Sequence, residues 1–259
     1  MRLLLDESLA TMPVTEGVRG GLIAPSLEVE IRLGLKAADV GPDDAALIPA
    51  GEYGALQETH RLLPQLAVVF DKTGPVVMRT PVRPDEIEQS SIRLIDTRTS
   101  AELLARATMN SFFGILPEGY VRDDTADAQV VVVEGVLAMT PPEAGLNEAL
   151  ARACFFLTWE ASVSVFFFFP ADATNAQRED LTNVALSISA ATVEQRREIR
   201  KRVADATGLD RDLLTTLFQA TRWSLSTDDR RALLMLLQLG NRSGEVGPYV
   251  SALRFAGEE

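Results

Sequence analysis

Three hydroxyl groups, a guanidinium and a carboxylate stand side by side in one short segment, Asp96-Thr97-Arg98-Thr99-Ser100. The segment follows a predicted strand, Ser91–Ile95, and precedes a predicted helix at 101–110. The first turn of a helix has unpaired N–H groups and a dipole that attracts an anion, and Thr99 or Ser100 would add a hydroxyl donor. Two interpretations stay open: a binding site for a small oxyanion, or no more than a helix N-cap.

Candidate residues also follow the other predicted strands. Ligands in an open α/β sheet bind at the carboxyl ends of the strands, so these loops are expected to face one cleft. After a predicted strand at 129–133, Glu134 would orient a ligand or remove a proton, although a helix cap or a salt bridge would explain it equally well. The candidate site residues are Glu134 as the catalytic group and, for substrate binding, Ser8, Thr11, Tyr53, Thr97, Arg98, Thr99, Ser100 and Ser162.

Strand-like and helix-like patterns alternate along the chain, which predicts an α/β fold with a mainly parallel sheet. Two apolar strands, at 66–70 and 163–169, flank a strand-helix-strand-helix segment. This arrangement predicts two lobes joined by two crossings, with residues 1–72 and 171–259 in one lobe and 73–170 in the other. We expect the ligand in the cleft between the lobes and a last third of the chain that is almost wholly helical.

The composition argues against several classes of function. The chain of 259 residues has 25 Lys and Arg against 37 Asp and Glu, a formal net charge of −12. Such a surface repels nucleic-acid phosphates and anionic lipid, so neither a nucleic acid nor a membrane is an expected partner. A small anionic ligand would therefore be held by local donors. With one His and one Cys, the chain lacks a nitrogen or sulfur cluster for zinc or iron, and neither a metal nor a cofactor is expected.

Further features have ordinary structural explanations. The basic run at 196–202 is interpreted as a solvated helix face, because Glu194 and Glu198 dilute its charge. Cys154, in a predicted helix at 146–159, is interpreted as a small buried apolar side chain. The first residues contain no apolar run long enough for an export signal, so we expect a cytoplasmic protein that is a monomer or a homodimer.

Short motifs in a consistent order carry a resemblance to a known family. They are Leu9-Ala10-Thr11-Met12-Pro13, Asp44-Ala45-Ala46-Leu47-Ile48-Pro49 with Glu52-Tyr53, Leu63-Pro64 before Gly74-Pro75-Val76, Arg98-Thr99-Ser100-Ala101-Glu102-Leu103-Leu104, Asp127-Ala128-Gln129-Val130 before Glu134-Gly135, and Phe156-Leu157-Thr158-Trp159. In their order and spacing the chain resembles the menaquinone-biosynthesis family of chorismate dehydratase and its cyclase relative. The resemblance implies a two-lobed, type II periplasmic-binding-protein-like fold. It also implies loss of the ring hydroxyl of chorismate as water, which gives 3-[(1-carboxyvinyl)oxy]benzoate.

The same resemblance assigns Thr99 and Ser100 to one substrate carboxylate and Thr11 to the other. The chain departs from the family at Ala10, where the dehydratases carry an Asn that contacts a carboxylate. His60, the single His, does not match the position of the His on which the cyclase relative depends. Two functions therefore stay open: an enzyme resembling chorismate dehydratase, or a non-catalytic protein that binds a small carboxylate on the same fold.

Overall fold

The computed structural model describes residues 1–87, 90–123, 128–141, 145–158, 161–242 and 244–257. Strands in these ranges form two sheets. The first sheet has the order β2-β1-β3-β10-β4-β11, with bounds β1 Arg2–Asp6, β2 Glu28–Arg32, β3 Ala45–Pro49, β4 His60–Phe70, β10 Ser162–Pro170 and β11 Thr221–Arg222. β1 runs parallel to both β2 and β3, so the carboxyl ends of these three strands lie at one edge.

The second sheet has the order β7-β6-β8-β5-β9. Its strands are β5 Val76–Thr80, β6 Ser91–Ile95, β7 Gly119–Val121, β8 Val130–Glu134 and β9 Leu146–Ala149. β6 is parallel to β7 and β8, whereas β5 is antiparallel to β8 and β9. The predicted strand at Ser91–Ile95 is confirmed.

The helices are α1 Met12–Arg19, α2 Tyr53–Leu56, α3 Thr99–Ala107, α4 Leu150–Thr158, α5 Asn175–Glu194, α6 Arg196–Thr207, α7 Arg211–Gln219 and α8 Thr227–Gly240. The last four confirm the helical final third, interrupted by the two-residue strand β11. Two of these helices begin with capping boxes in which a hydroxyl, of Thr174 or Ser226, accepts the third backbone N–H of the helix.

Three sequence predictions need correction. The sheets are mixed and not mainly parallel, because β10 pairs antiparallel with β3 and β4, and β5 pairs antiparallel with β8 and β9. The predicted helix at 146–159 begins later, because residues 146–149 form the edge strand β9 and pair with β5. The strand at 163–169, placed with the second lobe by the range 73–170, pairs instead with β3 and β4 of the first sheet. An antiparallel return strand takes its sheet from its hydrogen-bond partners, which a run of apolar residues does not reveal.

The four consecutive phenylalanines of β10 connect the two halves of the core. Side chains alternate across a strand, so Phe167 and Phe169 pack with α1, α5 and α6, whereas Phe166 and Phe168 face the side covered by α8. The cluster that contains Phe166 and Phe168 also includes residues of the second sheet, such as Met78. The two lobes are therefore packed against each other.

Helix α8 strengthens this closure because it lies against α3. A Cβ atom on Gly240 would be 2.5 Å from the carbonyl oxygen of Leu103, so the approach of the two backbones requires glycine. Within the described ranges, no helix combines the length and apolar character that crossing a membrane requires.

Candidate functional site

The candidate site begins where the parallel strands of the second sheet end. The carboxyl ends of β6, β7 and β8 meet at one edge, which brings the loop at 96–98, Arg122 and Glu134 together. Asp96 has a φ of 53°, in the left-handed region that Asp tolerates better than most residues. This residue turns the chain from β6 toward the start of α3.

The first turn of α3 presents donors that the helix itself does not satisfy. Arg98 is the N-cap residue, with extended backbone and no side-chain capping bond. The hydroxyl oxygen of Thr99 is buried and has no hydrogen-bond partner within the described residues. A buried hydroxyl without a partner costs free energy unless a ligand or a water completes it. The N-cap interpretation therefore leaves this hydroxyl unexplained.

Ser100 joins the two lobes at the same helix end. Its hydroxyl accepts the N–H of Gly51 at 3.0 Å and donates to the carbonyl of Ser164 at 2.6 Å. The contact is close: a Cβ atom on Gly51 would lie 2.7 Å from the carbonyl carbon of Thr99. The predicted oxyanion donor Ser100 is thus engaged in holding the lobes together in this conformation.

Arg98 makes a second connection between the lobes. Its Nε lies 3.4 Å from Oδ2 of Asp6, and its Nη2 donates to the carbonyl of Glu7 at 3.0 Å. Asp6 is fully buried, and its other carboxylate oxygen accepts the N–H of Leu35 at 2.9 Å. Burial raises the pKa of Asp6, although the Arg98 guanidinium opposes the shift. Arg98 therefore connects the two lobes across the cleft through its ion pair with Asp6.

Glu134 lies directly behind this loop. Its Oε2 accepts the backbone N–H of Arg98 at 2.5 Å, and the side chain is buried. Burial raises the pKa of Glu134 to about 7, against the lowering effect of the Arg98 N–H. This carboxyl group can gain or lose a proton near neutral pH, a property common in catalytic groups. Glu134 lines neither of the two cavities of the cleft, and in this conformation it positions the 97–99 loop through its hydrogen bond to Arg98.

The inner cavity of the cleft is very small. Ser100, Ser162 and Ser164 contribute to its lining, together with apolar residues such as Val163 and Leu104, and it encloses about 10 Å³. A cavity of this size holds about one water molecule. The predicted binding residue Ser162 thus reaches the cleft, but no organic ligand fits beside it while the lobes are closed.

The outer cavity, at the mouth of the cleft, is larger and more polar. It has a volume of about 250 Å³, and cationic side chains from both lobes line it, namely Lys36, Arg98 and Arg122. Thr97 and Thr99 also line it. Arg122 donates to the hydroxyl of Thr97 at 3.1 Å, whereas the exposed Lys36 ammonium forms no ion pair within the described part of the chain. The carboxylate of Glu52 lines the cavity as well, and Arg98 and Arg122 also pair with Asp6 and Glu102. The lining therefore combines three cations with one carboxylate at a helix end.

The other predicted binding residues lie elsewhere. The Thr11 hydroxyl accepts the N–H of Ser8 at 2.9 Å and donates to the carbonyl of Asp6, so both loop residues are engaged in the turn after β1. Tyr53 is buried, and its hydroxyl accepts an N–H of the C-terminal segment, that of Arg254, at 2.8 Å. Ala10 is part of the first lobe's core. None of these four residues lines either cavity.

Sequence reasoning missed Lys36 and Arg122. Arg122 directly follows β7, so the rule that ligands bind at strand carboxyl ends would have found it if that three-residue strand had been recognised. Lys36 follows a turn after β2, and no local pattern distinguishes it from a solvated lysine. Among the described residues, no group of three or more His, Cys, Asp or Glu side chains is arranged to hold a metal ion.

The chain shares its fold with proteins of known structure, whereas it matches no family by sequence. No protein-family model and no curated protein sequence matches the chain. Protein AF1704 from Archaeoglobus fulgidus has a TM-score of 0.71 at 15% identity, with 94% of this chain and 97% of that chain covered. A zinc-bound ligand-binding component of an ABC-type import system from Staphylococcus aureus has a TM-score of 0.64 at 10% identity, covering 99% and 96%.

The alkanesulfonate-binding protein SsuA from Xanthomonas axonopodis, bound to MOPS, has a TM-score of 0.61 at 13% identity and covers 96% of this chain and 94% of its own. These similarities at low identity, together with the two sheets, confirm the predicted two-lobed, type II periplasmic-binding-protein-like α/β fold.

Proposed function

We propose that the protein binds a small oxyanion, a carboxylate or a sulfonate, in the outer cavity between its lobes. The observation that carries the proposal is the buried, unpartnered hydroxyl of Thr99 at the uncapped start of α3. An oxyanion at this position would accept that hydroxyl and the first-turn N–H groups, which are the donors the helix leaves unsatisfied.

Three cationic side chains and one carboxylate, that of Glu52, line the cavity, and this excess of cations favours an anion. The chain as a whole has a formal net charge of −12, so an anion gains no general attraction and depends on the local cations. Lys36 comes from the first lobe and Arg122 from the second, and both line the same space. An anion between them would therefore stabilise the closed conformation, because it contacts both lobes at once.

The sizes of the two cavities limit the ligand. The outer cavity, at about 250 Å³, is slightly below the usual range of about 300–1,000 Å³ for drug-sized ligands. A small acid fits there, whereas the inner cavity accepts water alone. A bulkier ligand would require the lobes to separate, which breaks the Ser100 and Arg98 contacts described above.

Binding is tested by calorimetry with benzoate and methanesulfonate as probes. We expect Thr99→Val to weaken binding about tenfold or more, because a hydrogen bond to a charged group contributes about 1.5–3 kcal/mol. Lys36→Ala should weaken it several-fold. The matched controls are Thr182→Val on α5 and Arg83→Ala, which line neither cavity. Equal affinities for the test and control variants would contradict the proposed site.

A second candidate is water elimination from chorismate, as the family resemblance implies. One observation favours it: Glu134, next to the Arg98–Thr99 loop, has a pKa of about 7 and would exchange a proton at neutral pH. In the closed conformation this carboxyl does not line the cleft, so the lobes would have to open for it to reach a substrate. Catalysis therefore requires a conformational change that binding of a small oxyanion in the outer cavity does not.

Turnover decides between the two candidates. Wild type and Glu134→Gln are incubated with chorismate while the aromatic product is followed by absorbance. Turnover by wild type that is lost in Glu134→Gln would support the enzymatic function. If wild type binds chorismate without converting it, the non-catalytic binding function is supported instead. The buried Ala10 is a poor position for restoring activity with Asn, because an amide there would enter an apolar core.

A further inference from the structure

A second and larger cavity lies in the first lobe, away from the cleft. It opens among α5, α6, α7 and β11 and has a volume of about 490 Å³. Arg196, Arg197 and Arg200 line it, together with the aromatic side chains of Phe218 and Trp223. It shares no lining residue with either cleft cavity. The basic run that the sequence analysis interpreted as a solvated face thus borders a concave surface.

The arginines of this cavity are placed where the helix itself disfavours them. Arg196 and Arg197 are the first two residues of α6, at the positive end of the helix dipole, and Arg200 follows one turn later. Like charges three and four residues apart repel each other. None of the three forms an ion pair with a carboxylate in the part of the chain that the structure describes, and Arg200 donates to the Thr215 hydroxyl at 2.9 Å.

The start of α6 adds backbone donors to this positive surface. Its N-cap residue, Gln195, makes no side-chain capping bond, so the first-turn N–H groups are not satisfied by the cap. Glu198 is also in this turn, but it lines an adjacent depression and not this cavity. An anion bound beside α6 would offset both the repulsion among the arginines and their conflict with the dipole.

The floor of the cavity is apolar. Trp223 is 8% exposed and belongs to the first lobe's core, and the half-buried Phe218 packs against that core. A flat apolar group on this floor would lose its contact with water while its charged end stays at the guanidinium groups. Guanidinium matches phosphate well because it donates two parallel hydrogen bonds to neighbouring oxygens.

We propose that this cavity is a second ligand site, which takes a phosphate that carries an aromatic group. The aromatic ring lies on Trp223 and Phe218, and the phosphate contacts Arg196 and Arg197, with Arg200 already oriented by Thr215. The site is independent of the oxyanion site in the cleft, since it uses other residues of a different part of the first lobe.

The test uses phenyl phosphate, inorganic phosphate and phenol in calorimetric titrations of the whole chain. Phenyl phosphate should bind at least tenfold more tightly than either of the other two, because inorganic phosphate lacks the aromatic ring and phenol lacks the phosphate. The double variant Arg196→Ala/Arg197→Ala should weaken phenyl phosphate binding at least tenfold. The charge-matched control Arg83→Ala/Arg242→Ala, at exposed positions elsewhere, should change it less than twofold, as should Lys36→Ala in the cleft.

A second readout locates the ring. The chain has two tryptophans, so a Trp159→Phe background makes Trp223 the single indole, and phenyl phosphate should change its emission. Three results would overturn the proposal: inorganic phosphate binding as tightly as phenyl phosphate, equal losses in the test and control double variants, or unchanged Trp223 emission at saturation. Loss of binding in Lys36→Ala with no loss in the arginine double variant would assign phenyl phosphate to the cleft instead.

Discussion

Glu134 makes a quantitative prediction about stability and pH. Its pKa rises from an ordinary value of 4.5 to about 7 in the folded protein. The folded state binds this proton more tightly than the unfolded state, so protonation of Glu134 stabilises the folded protein. This contribution to the free energy of unfolding is complete below about pH 4.5 and is lost as the pH rises through 7. One pKa unit corresponds to about 1.4 kcal/mol, so the whole shift corresponds to about 3 kcal/mol.

The perturbation is Glu134→Gln, which keeps an oxygen acceptor for the Arg98 N–H and removes the titration. Urea unfolding of both proteins at pH 5 and pH 8 gives the difference in their free energies of unfolding at each pH. We expect wild type to lose about 2–3 kcal/mol relative to the variant between these pH values. Asp6, whose pKa is also raised, is present in both proteins, so the comparison removes its own titration, whereas its charge interaction with Glu134 stays part of the measured difference. A difference that changes by less than about 0.5 kcal/mol would refute the reasoning about a buried, protonated Glu134.

Three further predictions concern the frame of the site. Gly51→Ala should destabilise the protein by about 1–3 kcal/mol in urea unfolding, because its new methyl group would meet the backbone of Thr99, whereas Gly119→Ala, with open space around it, should not show this steric cost. Ser226→Ala should lower the free energy of unfolding by about 1 kcal/mol by removing the α8 cap, and an unchanged value would contradict that role. Tyr53→Phe should cost about 1 kcal/mol of stability and leave benzoate affinity unchanged in calorimetry, since the hydroxyl bonds the C-terminal segment; a loss of affinity would return Tyr53 to the site.

Local sequence determined most of the framework. Alternation of apolar residues predicted the α/β class, and capping and apolar periodicity predicted the helical last third, because these signals arise from contacts between residues close in the chain. The segment at 96–100 was recognised for the same reason: a strand end, hydroxyls and a helix start are adjacent in sequence. The loop after β6 and the start of α3 are indeed where the cleft is lined.

The partners of that segment were decided by tertiary structure. Lys36 and Arg122 line the cleft beside Thr99 because parallel strands from two sheets end at facing edges, which brings residues far apart in the chain together. The hydroxyl of Ser100 forms a hydrogen bond between the lobes, and the hydroxyl of Tyr53 forms one with the C-terminal segment. Residue type predicts that a side chain can donate a hydrogen bond. Which acceptor it meets, and whether space for a ligand stays beside it, depend on how the two sheets pack.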